Sequence, residues 1–533
     1  MPRKKRYGGL SSLFSVFGVP ALIVLGACFV AGCREPRTPP LPGPIQTLPD
    51  HVVIIVIDAL RADHLPLHGY DRDTAPFLTS LSEESLVFTD AASVSSYTPE
   101  SISALFTGLY PSATPWGAGW HARPSLNHNT LAMRFRDAGY HTALFSATPM
   151  LDHPEFHRGF DTAVCDTEFG LSRQSARLAE KALAWLGERR TQKTLIYLHF
   201  LDPHAPYDPP DDAYDRFGGA RPGDPVTMDG ALRSGLPALL EEGFGPGEAR
   251  FEDLVQRYDA EIFDVDRAIR ACFEGLADLG LERQSLAVVT ADHGEEFLEH
   301  GFVEHAWSLY PETYRIPLLL WAPGHIAPGR QAGVVSLVDL FPTLVALQDL
   351  PRHPDTISGV NLLEKTDGMW RARTPAGPRI LEQLIQSRML IRGVVTESSL
   401  YLAYWKYLSP AECAETAGNL RAIRRELRDG VRAEVDPWGP IVREEYYDLA
   451  RDPGCQNNLA AERPGEVARW RRYLREYRET CPPQLPDAYK ATRDPSRLTP
   501  EHTRLLETVD PAWRRLLDPV PLDEEMLQTL GYL

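Results

Sequence analysis

Continuous runs of apolar, β-branched residues alternate along this chain with segments of helical periodicity. The first run, Val52–Ile57, ends at Asp58 and is typical of a strand buried on both faces of a parallel sheet. Four further strands are predicted at Thr142–Phe145, Leu195–Phe200, Leu286–Val289 and Leu318–Trp321. Helical patterns lie between the strands at Thr130–Ala138, Ser172–Arg189 and Phe251–Leu279. This alternation predicts an α/β domain with a large, mostly parallel central sheet.

The pattern changes after about residue 350. Short strands and one helix are predicted there, at Val394–Thr396, Leu400–Tyr404 and Glu466–Tyr477. We therefore predict a main domain over residues 51–350 and a smaller C-terminal α+β subdomain with a tail over residues 351–533. Within the main domain, Pro209–Gly247 is rich in Gly, Pro and Asp and lacks periodicity, which predicts an insertion that could form part of a lid.

The N-terminal segment predicts export. Met1–Arg6 is basic, Leu10–Ala31 carries no charge, and small residues precede Cys33, which is the order of an export signal. Small residues directly before a cysteine resemble a bacterial lipobox, so we predict a signal peptide over residues 1–33 and lipidation of Cys33. Cys28 is a second candidate for lipidation, and an uncleaved transmembrane anchor is the alternative. Each of these interpretations puts the body of the protein outside the cytoplasm, in the bacterial cell envelope.

Composition indicates a linker and limits the classes of binding partner. The proline-rich segment at residues 34–50 predicts a stiff, extended linker between the membrane and the main domain. The chain has 55 basic and 73 acidic residues and a net charge of −18, which argues against a nucleic-acid partner. An anionic substrate stays open, because a bound metal ion can reverse the field inside one pocket. Cys413, Cys455 and Cys481 allow one disulfide in an oxidising compartment.

Carboxylate and imidazole side chains follow two of the predicted strands. Asp58 comes directly after the first strand, and Asp292 and His293 follow the strand at Leu286–Val289. Active sites of parallel sheets gather at the carboxyl ends of the strands, and these side chains suit a hard or borderline cation. Gly294 would let the chain leave the strand, so that both neighbouring side chains turn to one ion. Taken alone, Asp58 is more typical of a helix cap or a turn, and the Asp292–His293 pair is as typical of a capping aspartate beside a surface histidine as of a ligand pair.

Two further positions carry candidate chemistry. Thr98 followed by Pro99 is typical of a helix N-terminus with Thr98 as the N-cap. The same geometry places a hydroxyl in a positive field that favours an alkoxide, and a metal ion would make it a nucleophile. His204 lies between two prolines that fix the backbone, which is compatible with an acid–base group and with an ordinary loop histidine.

The motifs around these residues occur in the order of a known family. They are Ile57–His64, Thr98–Gly108, Leu201–Pro210 and Thr290–Gly301. Over about residues 51–460 the chain resembles the sulfatase-like branch of the alkaline phosphatase superfamily. The resemblance implies an α/β/α sandwich and an enzyme that hydrolyses, or transfers a group from, a phosphate or sulfate ester of a small molecule, glycan or lipid.

The resemblance also implies roles for individual residues. Thr98 falls on the nucleophile, and Asp58, Asp292 and His293, completed by Thr98, fall on the ligands of one divalent ion: calcium, manganese, magnesium or zinc. His204 falls on the histidine that contacts the ester oxyanion, and His305 on the one near the leaving group, which it would protonate. The remaining histidines considered are interpreted as structural; they are His64, His121, His199 and His300.

Departures from the family pattern bear on the substrate. Sulfatases proper oxidise a Cys or Ser to formylglycine, whereas this chain has Thr98, with Glu100 and Ile102 at the motif's Pro and Arg positions. Because threonine cannot yield that aldehyde, no formylglycine is expected. Ser146–Pro149 replaces a stretch that supplies a sulfate-binding Lys and a His, and Ala59 replaces a second acidic ligand. The pattern is closer to members that act on phosphoesters. A true sulfatase acting on sulfated glycans and an inactive binding lipoprotein are the alternatives.

Overall fold

A computed structural model describes residues 48–113, 128–166, 174–218, 239–351, 357–374, 377–385, 389–406 and 441–480. The predicted signal peptide, both candidate lipidation cysteines and nearly all of the predicted linker lie outside these ranges, as does the chain after residue 480. Within the described ranges, no helix combines the length and the apolar character needed to span a bilayer.

The strands, in chain order, are β1 His51–Ile57, β2 Leu86–Ala92, β3 His141–Ser146, β4 Thr162–Cys165, β5 Thr194–Phe200, β6 Ser285–Ala291, β7 Glu296–Phe297, β8 Val303–Glu304, β9 Arg315–Trp321, β10 Gly329–Ser336, β11 Leu363–Thr366, β12 Met369–Ala372, β13 Arg379–Ile385, β14 Met389–Val395, β15 Ser399–Lys406 and β16 Ile441–Asp448. All five strands predicted for the main domain are present. The two strands predicted for the C-terminal part correspond to β14 and β15.

Eight of these strands form the central sheet, in the order β10-β2-β9-β6-β1-β5-β3-β4. β1 pairs in parallel with β5 on one side and with β6 on the other. β9 is antiparallel to β2 and to β6, while the other pairings in this sheet are parallel. The predicted mostly parallel sheet is therefore confirmed. Its centre is β1, whose last residue, Ile57, is in register with Phe200 and Ala291, so three strand ends meet at one edge.

The helices, in chain order, are α1 Pro76–Glu83, α2 Thr98–Thr107, α3 Leu131–Asp137, α4 Gln174–Gly187, α5 Asp211–Arg216, α6 Ala249–Asp278, α7 Pro311–Tyr314, α8 Leu340–Leu347 and α9 Pro464–Thr480. α6 packs against α1, α4 and α5, whereas α2 packs against α3 and α8. The two groups cover the sheet as separate layers, which confirms the α/β/α sandwich.

The C-terminal part has its own antiparallel sheet, β13-β14-β15-β16, with α9 packed against β14, β15 and β16. This arrangement confirms the α+β prediction, while the boundary at residue 350 stays a prediction. The 209–247 insertion is described only in part, with α5 inside it, and its role as a lid also stays a prediction. Cys455 is buried and forms no disulfide within the described residues, and its candidate partners Cys413 and Cys481 lie outside them.

Candidate active site

The predicted metal ligands meet at the carboxyl edge of the central sheet. Asp58 follows β1, and Asp292 and His293 follow β6, the strand paired with it. Nε2 of His293 lies 3.6 Å from Oδ1 of Asp58 and 3.5 Å from Oδ2 of Asp292. All three side chains are buried, and their candidate ligand atoms lie within 4.8 Å of one another. The structure thus brings together the three residues, whose role as ligands stays a prediction.

The buried carboxylates of Asp58 and Asp292 lie close together, and a cation between them would stabilise both charges. Asp292 Oδ1 accepts hydrogen bonds from the backbone N–H of Ala59 and of His293, at 3.2 and 2.8 Å. Asp292 Oδ2 is buried and has no hydrogen-bond partner among the described residues. Burial and the neighbouring Asp58 carboxylate raise the pKa of Asp292. A divalent ion would satisfy Oδ2 and offset the repulsion, so this donor set fits a metal.

The orientation of His293 suits a ligand. Its Nδ1–H donates to the carbonyl of Gly294 at 2.9 Å, which leaves the Nε2 lone pair facing the two carboxylates. Burial opposes a charge on this ring, but Asp292 and Asp58 raise the pKa of His293 above its ordinary value. A proton on His293 therefore competes with a metal ion for the same position, and acid should weaken metal binding.

Gly294 is needed for a reason other than the predicted one. Its φ is not in the left-handed region. Instead, a Cβ at this position would lie 2.0 Å from the carbonyl oxygen of Glu312, and the Gly294 N–H donates to the carbonyl of Thr313 at 2.8 Å. Close backbone approach, not an unusual dihedral angle, therefore excludes a side chain beside His293.

Thr98 is the first residue of α2, and Tyr97 is its N-cap. The interpretation of Thr98 as an N-cap is therefore wrong, although Pro99 does occupy the first turn. The Thr98 side chain is fully buried, and its Oγ1 lies 3.1 Å from Nε2 of His293 and 3.5 Å from Oδ1 of Asp58. The hydroxyl faces the carboxylate and imidazole cluster at the positive end of α2, where a helix favours negative charge. Gly108, with φ 69°, ends the same helix.

His199 was interpreted as structural, but it contacts the site directly. It lies on β5, in register with Val56 of β1, and its Nε2 is 3.3 Å from Oδ2 of Asp58. Tyr197 lies 2.9 Å from the other ring nitrogen, and its O–H can donate there. His199 Nε2–H can then donate to Asp58 Oδ2, so that Oδ1 is turned toward Thr98 and His293. A histidine within an apolar strand, one residue before its end, was the available signal.

The rings of His204 and His305 pack beside the cluster. The ring centroid of His305 lies 4.3 Å from that of His293 and 4.9 Å from that of His204. His204 Nδ1–H donates to the carbonyl of Ala205 at 2.6 Å. Both predicted residues thus border the site, and the ring contacts form a continuous set of three imidazoles.

Glu295 was missed by the sequence analysis. Its Oε1 lies 2.9 Å from Nδ1 of His305, and its Oε2 accepts a hydrogen bond from the hydroxyl of Tyr207 at 2.9 Å. The carboxylate is buried and holds the His305 ring with Nε2 directed away from it. Its position two residues after His293, in a run with Glu296, did not distinguish it from its neighbours.

Unusual backbone angles surround these residues. Ala59, next to Asp58, has φ 57°, and Glu304 and Ala306, on either side of His305, have φ 65° and 69°. Left-handed conformations are unfavourable for residues with a Cβ and persist where the surrounding structure enforces them, frequently at functional sites. The backbone thus turns sharply at two of the predicted site residues.

Among the other histidines interpreted as structural, two pair with buried acids. His64 Nδ1 lies 2.8 Å from Asp259, and His300 Nδ1 lies 2.5 Å from Glu312. Neither contact involves the cluster of Asp58, Asp292 and His293. His121 lies outside the described residues.

A three-layer α/β/α fold with a carboxylate, imidazole and hydroxyl cluster at its carboxyl edge defines the alkaline phosphatase-like class of hydrolase. The sulfatase family model matches residues 50–350. The chain therefore belongs to the sulfatase family, whose members are ester hydrolases.

Individual relatives are distant. Arylsulfatase K of Bos taurus is 24% identical over 479 residues, covering 79% of this chain and 81% of that protein. Arylsulfatase K of Xenopus laevis is 28% identical over 232 residues, covering 43% of this chain and 38% of that protein. The phosphonate monoester hydrolase structure of Agrobacterium radiobacter superposes with a TM-score of 0.57 at 17% identity, covering 81% of this chain and 96% of that one. At this identity the last match shows the fold alone.

Proposed function

We propose that the protein is a metal-dependent ester hydrolase in which Thr98 is the nucleophile, and that its substrate is a phosphoester in preference to a sulfate ester. One observation carries the proposal. The Thr98 hydroxyl lies 3.1 Å from His293 and 3.5 Å from Asp58, at the start of a helix and inside a buried cluster that fits a cation. A purely structural role in the helix would not require the Thr98 hydroxyl to face these two side chains.

Asp58, Asp292, His293 and Thr98 would hold one divalent ion. When bound, the ion lowers the pKa of the Thr98 hydroxyl and neutralises charge on the group being transferred. Carboxylate donors favour calcium, magnesium or manganese, and the imidazole also admits zinc.

The remaining residues supply positioning and proton transfer. Thr98 attacks phosphorus in line, from the positive end of α2. His204 can donate a hydrogen bond to a non-bridging oxygen as negative charge develops there. His305, held through Nδ1 by Glu295, can protonate the leaving oxygen from Nε2. Water, or an acceptor alcohol, then releases the group from Thr98.

The preference for a phosphoester rests on the nucleophile. Thr98 carries one hydroxyl and a methyl group, so it lacks the aldehyde hydrate with which formylglycine sulfatases act. Relatives are named for both chemistries, since two are arylsulfatases and another is a phosphonate monoester hydrolase. Sulfate esters of aryl or glycan alcohols are therefore the second candidate substrates.

Three variants of Thr98 test the mechanism. Wild type is assayed on phosphate monoesters, phosphodiesters, phosphonates and aryl sulfates with each divalent ion, and the variants on the best substrate. Thr98→Ala should lose several orders of magnitude in turnover while staying folded, since no other group can form the covalent intermediate. Thr98→Ser should retain part of the activity.

A Thr98→Cys variant tests the formylglycine route. It should gain no sulfatase activity, even in a host with the formylglycine-generating enzyme, because Glu100 and Ile102 disrupt the modification motif. Equal turnover of wild type and Thr98→Ala, at equal folded concentration, would refute the nucleophile. It would favour an inactive binding protein if no substrate is turned over by either.

We further propose that the enzyme is a lipoprotein of the bacterial cell envelope, anchored through Cys33. Support comes from the small residues before this cysteine and from the basic and apolar segments upstream. A Cys33→Ala variant should accumulate as an unlipidated precursor, measured by mass spectrometry of the N-terminal peptide. Lipid attached to the Cys33→Ala protein would contradict this assignment and favour Cys28.

A further inference from the structure

A second group of metal-ligating side chains lies at the far edge of the central sheet. Asp152 and His157 lie on the loop between β3 and β4, and Cys165 is the last residue of β4. Their candidate ligand atoms all lie within 4.8 Å of one another. β4 pairs with β3 alone among the described strands, so it forms an edge of the sheet several strands away from β6. None of the three residues contributes to the site around Thr98.

Two of the distances between the donor atoms are close to those around a zinc ion. Nε2 of His157 lies 3.6 Å from Sγ of Cys165 and 3.9 Å from Oδ1 of Asp152. Zinc bonds of about 2.0–2.3 Å at tetrahedral angles separate neighbouring donor atoms by about 3.5 Å, which is close to both distances. The Asp152 side chain is 61% exposed, so it can move closer to the other two donors without disturbing the core.

A catalytic triad is excluded by the same geometry. In a Cys–His–Asp relay, the thiol and the carboxylate bond to opposite nitrogens of the ring. Here both approach Nε2. In addition, burial and the nearby Asp152 carboxylate raise the pKa of the Cys165 thiol to about 12. A bound metal ion would displace the proton of this thiol.

We propose that Asp152, His157 and Cys165 form a zinc site, with water completing the coordination, that joins the β3–β4 loop to the edge strand β4. Thiolate and imidazole donors favour zinc over calcium or magnesium, which prefer oxygen. The loop begins at Ala147, directly after Ser146, which is in register with His199 of the active site. Zinc would thus tie the middle of a loop that starts beside the catalytic cluster to the carboxyl end of β4.

Cobalt substitution in the full-length protein distinguishes this site from the catalytic one. Only a site with a thiolate gives sulfur-to-cobalt charge-transfer absorption in the near ultraviolet, and the cluster of Asp58, Asp292 and His293 has no thiolate. We expect wild type to show this band and to bind a second equivalent of zinc. Both should be retained when Asp292 and His293 are replaced by alanine, so failure of the catalytic proposal would not affect the result.

Ligand variants provide the test of assignment. Cys165→Ser should abolish the band, and His157→Ala should weaken zinc binding by more than the roughly tenfold to hundredfold typical of outer-sphere partners. His141→Ala, an exposed histidine at the start of β3, is the matched control and should change neither quantity. Asp152→Asn, on the surface, should weaken binding without endangering the fold. Absence of the band in wild type, or an unchanged band in Cys165→Ser, would overturn the proposal.

Discussion

Buried carboxylates have different partners at the carboxyl edge of the central sheet and in the C-terminal sheet. In the C-terminal sheet, Glu382 on β13 pairs with Arg392 on β14 at 2.7 Å, and both side chains are fully buried. At the carboxyl edge of the central sheet, Asp58 and Asp292 are equally buried, yet among the residues that the structure describes only histidines lie within ion-pair distance of them. A buried carboxylate with a permanent cationic partner is compatible with a stable fold. Two neighbouring buried carboxylates without such a partner repel each other and favour binding of a cation.

Glu295 and Glu312 are intermediate between a carboxylate paired with arginine and one without a permanent cationic partner. Each is a buried carboxylate whose partner is a histidine, His305 and His300 respectively. Such a pair carries a full counter-charge only when the ring is protonated. The charge state of the partner therefore separates the buried acids compared above into three groups: permanently paired, conditionally paired and dependent on an ion.

The largest effect is expected from removing one carboxylate of the cluster. Asp292→Asn should remove the one equivalent of metal held by this cluster and leave the zinc proposed at Cys165 in place, because it removes a charged ligand whose Oδ2 accepts no hydrogen bond from the described residues. Turnover should fall on the order of 10³-fold or more, since metal ions supply several kcal/mol of transition-state stabilisation. Metal content by mass spectrometry and turnover are measured together. Full metal occupancy in the variant would contradict the proposed site.

The next effect concerns the free energy of unfolding, and only the variant in the C-terminal sheet should lower it. Glu382→Gln leaves Arg392 buried without its counter-charge and should destabilise the protein by about 3–5 kcal/mol. Asp292→Asn, compared with wild type in a chelator, should be neutral or stabilising, because it relieves repulsion with Asp58. Urea unfolding in the presence of the chelator measures both. Equal destabilisation by the two variants would show that Asp292, like Glu382, stabilises the metal-free fold.

Glu295→Gln should have a smaller effect, and one confined to catalysis. The variant keeps the shape of the side chain but no longer stabilises a protonated His305, so turnover should fall about 10²-fold, at the low end of general acid catalysis. The loss should be large for substrates with poorly acidic alcohol leaving groups and small for nitrophenyl esters, which need no proton. A uniform loss across leaving groups would indicate a structural role for Glu295 instead.

A site residue can be predicted from the sequence when its neighbours along the chain are enough to place it. Asp58, Asp292 and His293 are predictable because each directly follows a buried strand, and parallel strands end at one edge. His199 is not predictable in this way, because it lies inside β5 and not after its end, so it looks like one more residue of a buried strand. Glu295 contacts His305 because of a loop with left-handed residues at Glu304 and Ala306, and hydrophobic periodicity does not predict such a loop.

The N-cap interpretation of Thr98 was wrong by one residue, because helix boundaries cannot be placed from sequence to better than a residue or two.

The smallest effect is expected at His300, whose ring is conditionally charged. Its Nδ1 faces Glu312 at 2.5 Å and its Nε2 faces the carbonyl of Cys455 at 3.1 Å, so both nitrogens can donate when the ring is protonated. Burial opposes that charge, but the hydrogen bond to Glu312 raises the pKa of His300 above its ordinary value. The pair therefore contributes stability that is fully present below the unfolded-state pKa of about 6.5 and is lost as pH rises through the raised value.

His300→Gln should accordingly lower the free energy of unfolding by about 1 kcal/mol or less in mild acid, and by progressively less as the pH increases. Glu312→Gln should show the same pH dependence, and the double variant should lose no more than either single one, because both remove one interaction. The Glu382→Gln variant supplies the contrast, since arginine stays charged over this range and its loss should not vary with pH. A pH-independent effect of His300→Gln would show that the ring contributes packing against Tyr310, at a centroid distance of 3.6 Å, and not charge.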